Sequence, residues 1–141
     1  MRVAVVFFAG GAKEKFLDIA QGFSRGLGEQ GHIADVIDIE TDYEKKLTSY
    51  NYIVLGAATS GFFKPKVSDK LKKFLSSCGH IAGKRCFAFV PKRSFASKAL
   101  LAVMSAMEHE GLYIKNSGIV SSAEEAAYIG KSLHIGGSNI S

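Results

Sequence analysis

The chain has 141 residues, 47% of them hydrophobic, and a net charge of +5. This length and apolar content are typical of one globular domain, so residues 1–141 are expected to form a single domain with a frayed tail over 136–141. The aromatic content of 11% excludes a disordered chain. No apolar stretch of the sequence is long enough for a transmembrane helix, and the amino-terminal one leads into a predicted helix rather than a cleavage site. We therefore expect a cytoplasmic location and no membrane partner.

Strands and helices alternate in the first half of the sequence. Residues 3–8 are a continuous apolar run, typical of a strand buried on both faces, and Gly10 and Gly11 end it. A helix is predicted next, because apolar residues recur at helical spacing until Gly28. The rest of this half consists of a strand over 33–39, a polar link over 42–49 and a further strand over 52–57.

The second half continues the alternation. Pro65 is expected to open a helix, whose buried stripe would comprise Val67, Leu71, Phe74 and Leu75. The remaining predicted elements are a strand, a helix, a strand and a helix: 86–90, 99–107, 112–120 and 123–133. Strands that alternate with helices at this spacing form parallel βαβ units. We therefore predict an α/β fold, a three-layer, doubly wound, five-stranded parallel sheet.

Basic residues concentrate in the loops that follow the first, third and fourth predicted strands. In doubly wound folds ligands bind at the carboxyl ends of the strands, where these loops meet. Each loop carries two cations, which together predict a positive rim: Lys13, Lys15, Lys64, Lys66, Lys92 and Arg93. Such a rim favours phosphate groups, nucleic acid or an acidic protein surface, and its sign does not choose among them.

Two of these loops contain candidate ligand-binding groups. Gly10 and Gly11 precede a helix, whose free N–H groups and dipole favour a phosphate, although a glycine pair also makes an ordinary tight turn. The third loop offers two hydroxyls and the adjacent rings of Phe62 and Phe63. These rings can stack on a planar ligand or pack under the next helix as core.

Side chains suited to catalysis or metal binding are sparse. None of the four histidines falls in the three loops. Cys78 and Cys86 lack the spacing of a redox or metal pair and are expected to be buried thiols. We predict no catalytic residue and no metal site, so any redox chemistry would require a cofactor.

Short motifs in a matching order give the chain a family resemblance. The residues that carry it lie in three places, at the end of the first strand and just after it, at the end of the third strand and just after it, and in the last part of the chain: Phe8, Gly11, Glu14 and Lys15; Gly56, Thr59 and Pro65; Gly111 and 127–133. At these positions the chain resembles the flavodoxin-like family, which includes flavodoxins and related quinone reductases. The resemblance implies the strand order 2-1-3-4-5 and flavin mononucleotide (FMN) bound at the carboxyl ends of the strands.

The resemblance also assigns site residues and a function. The residues that would hold the phosphate are Gly10, Gly11, Ala12 and Lys13. Those that would line the flavin ring are Thr59, Ser60, Gly61 and Phe62, and Phe95 would cover the ring. The first loop has no hydroxyl, so Lys13 and backbone N–H groups are expected to hold the phosphate in place of the family's Ser and Thr side chains. The implied function is FMN-dependent electron transfer or reduction, with a redox protein or a small-molecule acceptor as partner.

One alternative function stays open. The chain could be a flavin-free binding module that uses its cationic rim for another anionic ligand or an acidic protein partner, since fold does not fix function. Nucleic acid is the less expected partner, because lysines of the helix predicted over 65–78 fall mostly on its solvated face and no recognition motif accompanies them.

Overall fold

A computed structural model describes residues 1–135, so the predicted frayed tail lies outside the described residues. In chain order the elements are β1 (Arg2–Phe8), α1 (Lys13–Glu29), β2 (Ile33–Asp38), β3 (Tyr52–Ala57), β4 (Thr59–Ser60), β5 (Lys66–Val67), α2 (Asp69–Ser77), β6 (Arg85–Pro91), α3 (Ala96–His109), β7 (Tyr113–Val120) and α4 (Ala123–Ser132). None of the helices within residues 1–135 combines the length and the apolar character that a membrane span requires.

The main sheet is parallel throughout and has the order β2-β1-β3-β6-β7. This order confirms the predicted arrangement 2-1-3-4-5, because β6 and β7 are the fourth and fifth of the predicted strands. Every residue of β3 is buried, as is all of β1 after its first residue, which explains their unbroken apolar sequences. The outer strand β2 is more exposed and carries Asp35 and Asp38.

Helices cover both faces of the sheet and complete the three predicted layers. On one face, α1 and α4 pack over a core that includes Phe16, Phe23 and Phe89. These two helices approach closely at Gly22 and Gly26, where an added Cβ would overlap the backbone of α4. On the other face, α2 and α3 cover a second core.

The segment between β3 and α2 differs from the prediction. The sequence predicts a helix from Pro65 with Val67 in its buried stripe, and this is wrong: β4 and β5 form an antiparallel hairpin, and the helix begins at Asp69. The physical reason is the side chain of Ser68, whose hydroxyl accepts a hydrogen bond from the N–H of Lys70 and caps the helix. The other predicted core residues of this helix are buried: Leu71, Phe74 and Leu75.

Candidate functional site at the carboxyl edge of the sheet

Three loops meet at the carboxyl edge of the main sheet. They follow β1, β3 and β6, which are adjacent parallel strands, so the loops begin side by side. This edge carries every residue that the sequence assigns to the site: Gly10, Gly11, Ala12, Lys13, Thr59, Ser60, Gly61, Phe62 and Phe95.

The loop after β1 is a tight turn that uses some of its own N–H groups. The N–H groups of Gly11 and Ala12 both donate to the carbonyl oxygen of Ala9, at 2.9 and 3.0 Å. These two groups therefore point back into the turn, away from any ligand. No side chain caps α1 at Ala12, and the N–H groups of Lys13 to Lys15 have no hydrogen-bond partner within residues 1–135. The open end of the helix is the part of this loop that can still receive an anion.

Two lysines of the predicted rim bind groups of the protein itself. Nζ of Lys13 lies 3.6 Å from Oδ2 of Asp38, at the end of β2. Nζ of Lys15 donates to the carbonyl oxygen of Ser121 at 2.6 Å. The remaining lysines of the rim are exposed and form no ion pair within the described part of the chain: Lys64, Lys66 and Lys92.

Arg93 joins the loop after β6 to the loop after β3. Its Nη1 donates to the hydroxyl of Thr59 at 3.0 Å, and its Nη2 donates to the carbonyl oxygen of Gly61 at 3.1 Å. Its Nε donates to the carbonyl oxygen of Ser94 at 2.9 Å. The fixed fork of the guanidinium can make these bonds together. Arg93 thus occupies polar groups of two residues that the resemblance assigns to the flavin ring.

Three phenylalanine rings form an exposed cluster at the same edge. Phe62 and Phe63 lie in the loop between β4 and β5, and Phe95 directly precedes α3. The ring centroids are 5.0 to 5.5 Å apart, and each pair meets edge to face. The exposed fractions are 58% for Phe62, 67% for Phe63 and 39% for Phe95. Neither Phe62 nor Phe63 is therefore part of the core.

The backbone at Phe95 is strained. Its φ is 58°, and it is the one non-glycine residue with a positive φ within residues 1–135. This left-handed conformation costs a non-glycine residue about 1 kcal/mol. The conformation is accompanied by ring contacts to both other phenylalanines, and Nζ of Lys98 lies 5.4 Å from the centre of the Phe95 ring. Strain of this kind is concentrated at functional sites.

The loops after β3 and β6, as they stand, leave no slot for a flavin ring at the assigned residues. A flavin ring would need a slot between the loops after β3 and β6, but there the rings of Phe62 and Phe95 touch and Arg93 bonds to the opposite loop. At the phosphate end, the N–H groups of Gly11 and Ala12 donate inward, whereas those at the start of α1, from Lys13 onward, stay open to an anion. FMN binding through the assigned residues would therefore require the ring part of the site to rearrange.

Neither cysteine is an activated nucleophile, and residues 1–135 contain no cluster suited to a metal ion. Both cysteines are buried, as predicted, and burial raises the pKa of the Cys78 thiol to about 11 and that of the Cys86 thiol to about 12. Both thiols stay protonated near neutral pH and are poor nucleophiles. Within residues 1–135, no group of His, Cys, Asp and Glu side chains is placed to hold a metal ion.

Sequence reasoning missed the structural role of Arg93. The sequence predicts Arg93 as one of six rim charges, whereas its side chain is half-buried and bonded to the neighbouring loop. Its position two residues after the end of β6, which pairs with β3, is the available signal. Phe63 also joins the ring cluster, although the resemblance assigns only Phe62 and Phe95 to the ligand.

Comparisons with known proteins bear on the fold. No protein-family model and no curated protein matches the chain. Among solved structures, flavodoxin 1 from Bacillus cereus is similar, with a TM-score of 0.70 and 20% identity over 92% of this chain and 95% of that one. A flavodoxin from the domain Archaea has a TM-score of 0.70 and 16% identity, over 94% of this chain and 95% of the other.

A third similar structure is the two-electron reduced flavodoxin of Megasphaera elsdenii. It has a TM-score of 0.69 and 16% identity, over 93% of this chain and 99% of that one. These similarities extend over nearly the whole described chain and agree with the strand order of the main sheet. The chain therefore has the flavodoxin-like fold.

Proposed function

We propose that the chain is a protein-binding module whose carboxyl edge docks an acidic protein partner. The docking surface, here called the aromatic–lysine surface, consists of the exposed rings and the exposed lysines near them in sequence: Phe62, Phe63, Phe95, Lys64, Lys92 and Lys98. The observation that carries the proposal is the mutual contact of three exposed rings from two loops that Arg93 joins.

The exposed rings favour a macromolecular partner. Contiguous exposed apolar patches are uncommon on proteins that act alone, and aromatic residues are enriched among the residues that dominate binding energy at interfaces. The ring contacts and the bonds of Arg93 hold the cluster in one arrangement. A partner that buries a preformed surface loses less conformational entropy than one that must order it.

The lysines favour an acidic partner. Lys64, Lys92 and Lys98 are exposed, and none of them forms an ion pair within residues 1–135. Unpaired charges of one sign around an apolar centre steer a partner of opposite charge and set its orientation. The surface therefore combines an apolar anchor with a cationic surround.

Fluorescence anisotropy with a labelled octapeptide of alternating phenylalanine and glutamate tests this proposal. Wild-type protein is expected to bind the peptide, with an affinity that falls as salt rises. The double substitution Phe62→Ser with Phe63→Ser should abolish binding. Tyr128→Ser is the matched control, because Tyr128 is 66% exposed on α4, on the other face of the sheet.

Two results would overturn the proposal. The first is equal binding of a peptide in which lysine replaces every glutamate, since charge would then play no part. The second is unchanged binding by the Phe62 and Phe63 double variant.

The second candidate function is the binding of FMN for electron transfer or flavin-dependent reduction, as the family resemblance implies. Two observations favour it: the open N–H groups of Lys13 to Lys15 at the start of α1, and the exposed rings, which can stack on a planar ligand. Binding at the assigned residues would require Arg93 to release Thr59 and Gly61.

An FMN titration separates the two candidates. If the carboxyl edge is a protein-docking surface, high micromolar protein should leave the fluorescence and the visible absorption band of FMN unchanged. Saturable quenching at one FMN per chain would establish the second candidate instead. Loss of that quenching in Lys13→Glu, but not in Lys84→Glu, would place the phosphate at the start of α1.

A further inference from the structure

A groove runs between α2 and α3, the two helices on one face of the sheet. Its volume is about 1270 Å³, and its lining comes from the β4–β5 hairpin and from both helices. On the α3 side, His109 and Glu110 line the end of the helix and three small residues line the rest: Ala102, Ser105 and Ala106. Because these side chains are short, the groove has room for a polypeptide backbone against α3.

The opposite side of the groove is cationic. Lys72 and Lys73 on α2 and Lys66 on β5 line it, and all three are exposed. The carboxylates in the lining are those of Asp69 and Glu110, which belong to the start of α2 and to the end of α3. Serine hydroxyls, including that of Ser76, add hydrogen-bonding groups. A chain lying here would meet lysines along one side and small or hydroxyl side chains along the other.

The groove adjoins the aromatic–lysine surface. Ser60 and Lys66 line the groove, and they are paired residues of the hairpin whose connecting loop carries Phe62 and Phe63. A partner that touches the rings therefore reaches the mouth of the groove without crossing another element.

We propose that this groove receives an extended acidic segment of the partner that docks on the aromatic–lysine surface. The proposal rests on the proposed function and specifies the partner: an apolar or aromatic anchor next to a run of carboxylates. α2 has nine residues and is about 14 Å long. An extended chain rises about 3.3 Å per residue, so the groove accommodates about four residues of the segment.

The lining favours a peptide over a single-stranded nucleic acid. A nucleic acid needs stacking platforms for successive bases, whereas the aromatic lining contributed by residues 1–135 is the single imidazole of His109, at the end of α3. A single-stranded oligonucleotide is therefore included in the test as a competitor.

Anisotropy measurements with two labelled peptides test the proposal. The long peptide has the alternating phenylalanine–glutamate octapeptide followed by four glutamates, and the short one lacks these four. The long peptide is expected to bind wild-type protein more tightly. Ser105→Trp, a substitution at an exposed position, should fill the groove and remove this advantage without affecting the short peptide.

Charge reversal gives an independent measurement. The double substitution Lys72→Glu with Lys73→Glu should lower the affinity for the long peptide about tenfold relative to the affinity for the short one. The reason is that two exposed ion pairs with the peptide are replaced by repulsions. Lys131→Glu on α4 is the control and should leave the ratio of the two affinities unchanged.

The outcomes separate this inference from the proposed function. If the short peptide binds, and neither Ser105→Trp nor the lysine reversal changes the affinity for the long peptide, the groove inference is wrong and the proposed function is retained. If neither peptide binds, the proposed function is wrong and the groove inference falls with it. If equimolar oligothymidylate displaces the long peptide, and the peptide binds again once the oligonucleotide is removed, the groove would be assigned to nucleic acid instead.

Discussion

The guanidinium of Arg93 and the hydroxyl of Thr59 are joined by a hydrogen bond of 3.0 Å between the loops that follow β6 and β3. A second bond, to the carbonyl oxygen of Gly61, extends this link toward the loop that carries Phe62 and Phe63. Gly61 has a φ of 89° and an added Cβ there would lie 2.7 Å from the carbonyl oxygen of Lys64, so the turn depends on glycine. One side chain thus ties the two loops that form the aromatic–lysine surface.

Arg93→Ala should loosen the hairpin loop. The substitution removes hydrogen bonds from a half-buried guanidinium, and we expect the free energy of unfolding in urea to fall by about 1 kcal/mol. Lys92→Ala is the control, since Lys92 is exposed, and its effect should stay within about 0.5 kcal/mol. Protease cleavage between residues 61 and 65 should be faster in the Arg93 variant than in the control. Equal stability and equal cleavage in the two variants would show that Arg93 does not hold the loops.

The exposed rings should contribute little to folding. Phe62→Ser with Phe63→Ser replaces two side chains that are 58% and 67% exposed, so the thermal midpoint should change little. Phe74→Ser is the contrasting variant, because Phe74 is 2% exposed and its loss should cost about 3 kcal/mol or more. A large destabilisation by the double substitution would mean that the cluster serves the fold and not a partner.

The fold was predictable because its signals are local. The apolar runs at β1 and β3 mark strands buried on both faces, and the helical spacing that ends at Gly28 marks α1. The error at Pro65 arises where two start signals compete. Proline suits the first turn of a helix, but the hydroxyl of Ser68 caps α2 and the residues before it pair as a hairpin.

The candidate site was less predictable because its geometry depends on contacts between distant segments. The sequence places Arg93 and Thr59 at the same edge but does not show that one binds the other. It identifies Gly10 and Gly11 as a turn, but the direction of the N–H groups of Gly11 and Ala12 is set by the path of the backbone through that turn. The order of residues along the chain therefore indicates where the site lies. The tertiary contacts determine which of its polar groups are free to bind a ligand.

Because α1 packs closely on α4, alanine substitutions at two glycines of α1 should have opposite effects on stability. Gly26→Ala would press a methyl group into the backbone of Ala127 and Lys131, so we expect a loss of about 2 kcal/mol in the free energy of unfolding. Gly28→Ala meets nothing within 4 Å and should raise stability by about 0.5 kcal/mol, because alanine is the better helix former. Urea unfolding of both variants measures the difference. Similar changes in both would contradict the close approach of the two helices.

Alkaline pH should reveal the burial of Cys86. The pKa of its thiol is about 12 in the folded protein, against 9.0 for an ordinary thiol, because burial disfavours the thiolate. As pH rises above 9.0 the unfolded chain releases this proton first, so the contribution of Cys86 to stability is fully present below that pH and is lost as pH approaches 12. Between pH 9 and about pH 10 the loss due to this group should be about 1 kcal/mol. Cys86→Ala should therefore show a shallower decline of unfolding free energy than wild type over this range, whereas parallel declines would mean that the thiol is not shielded from water.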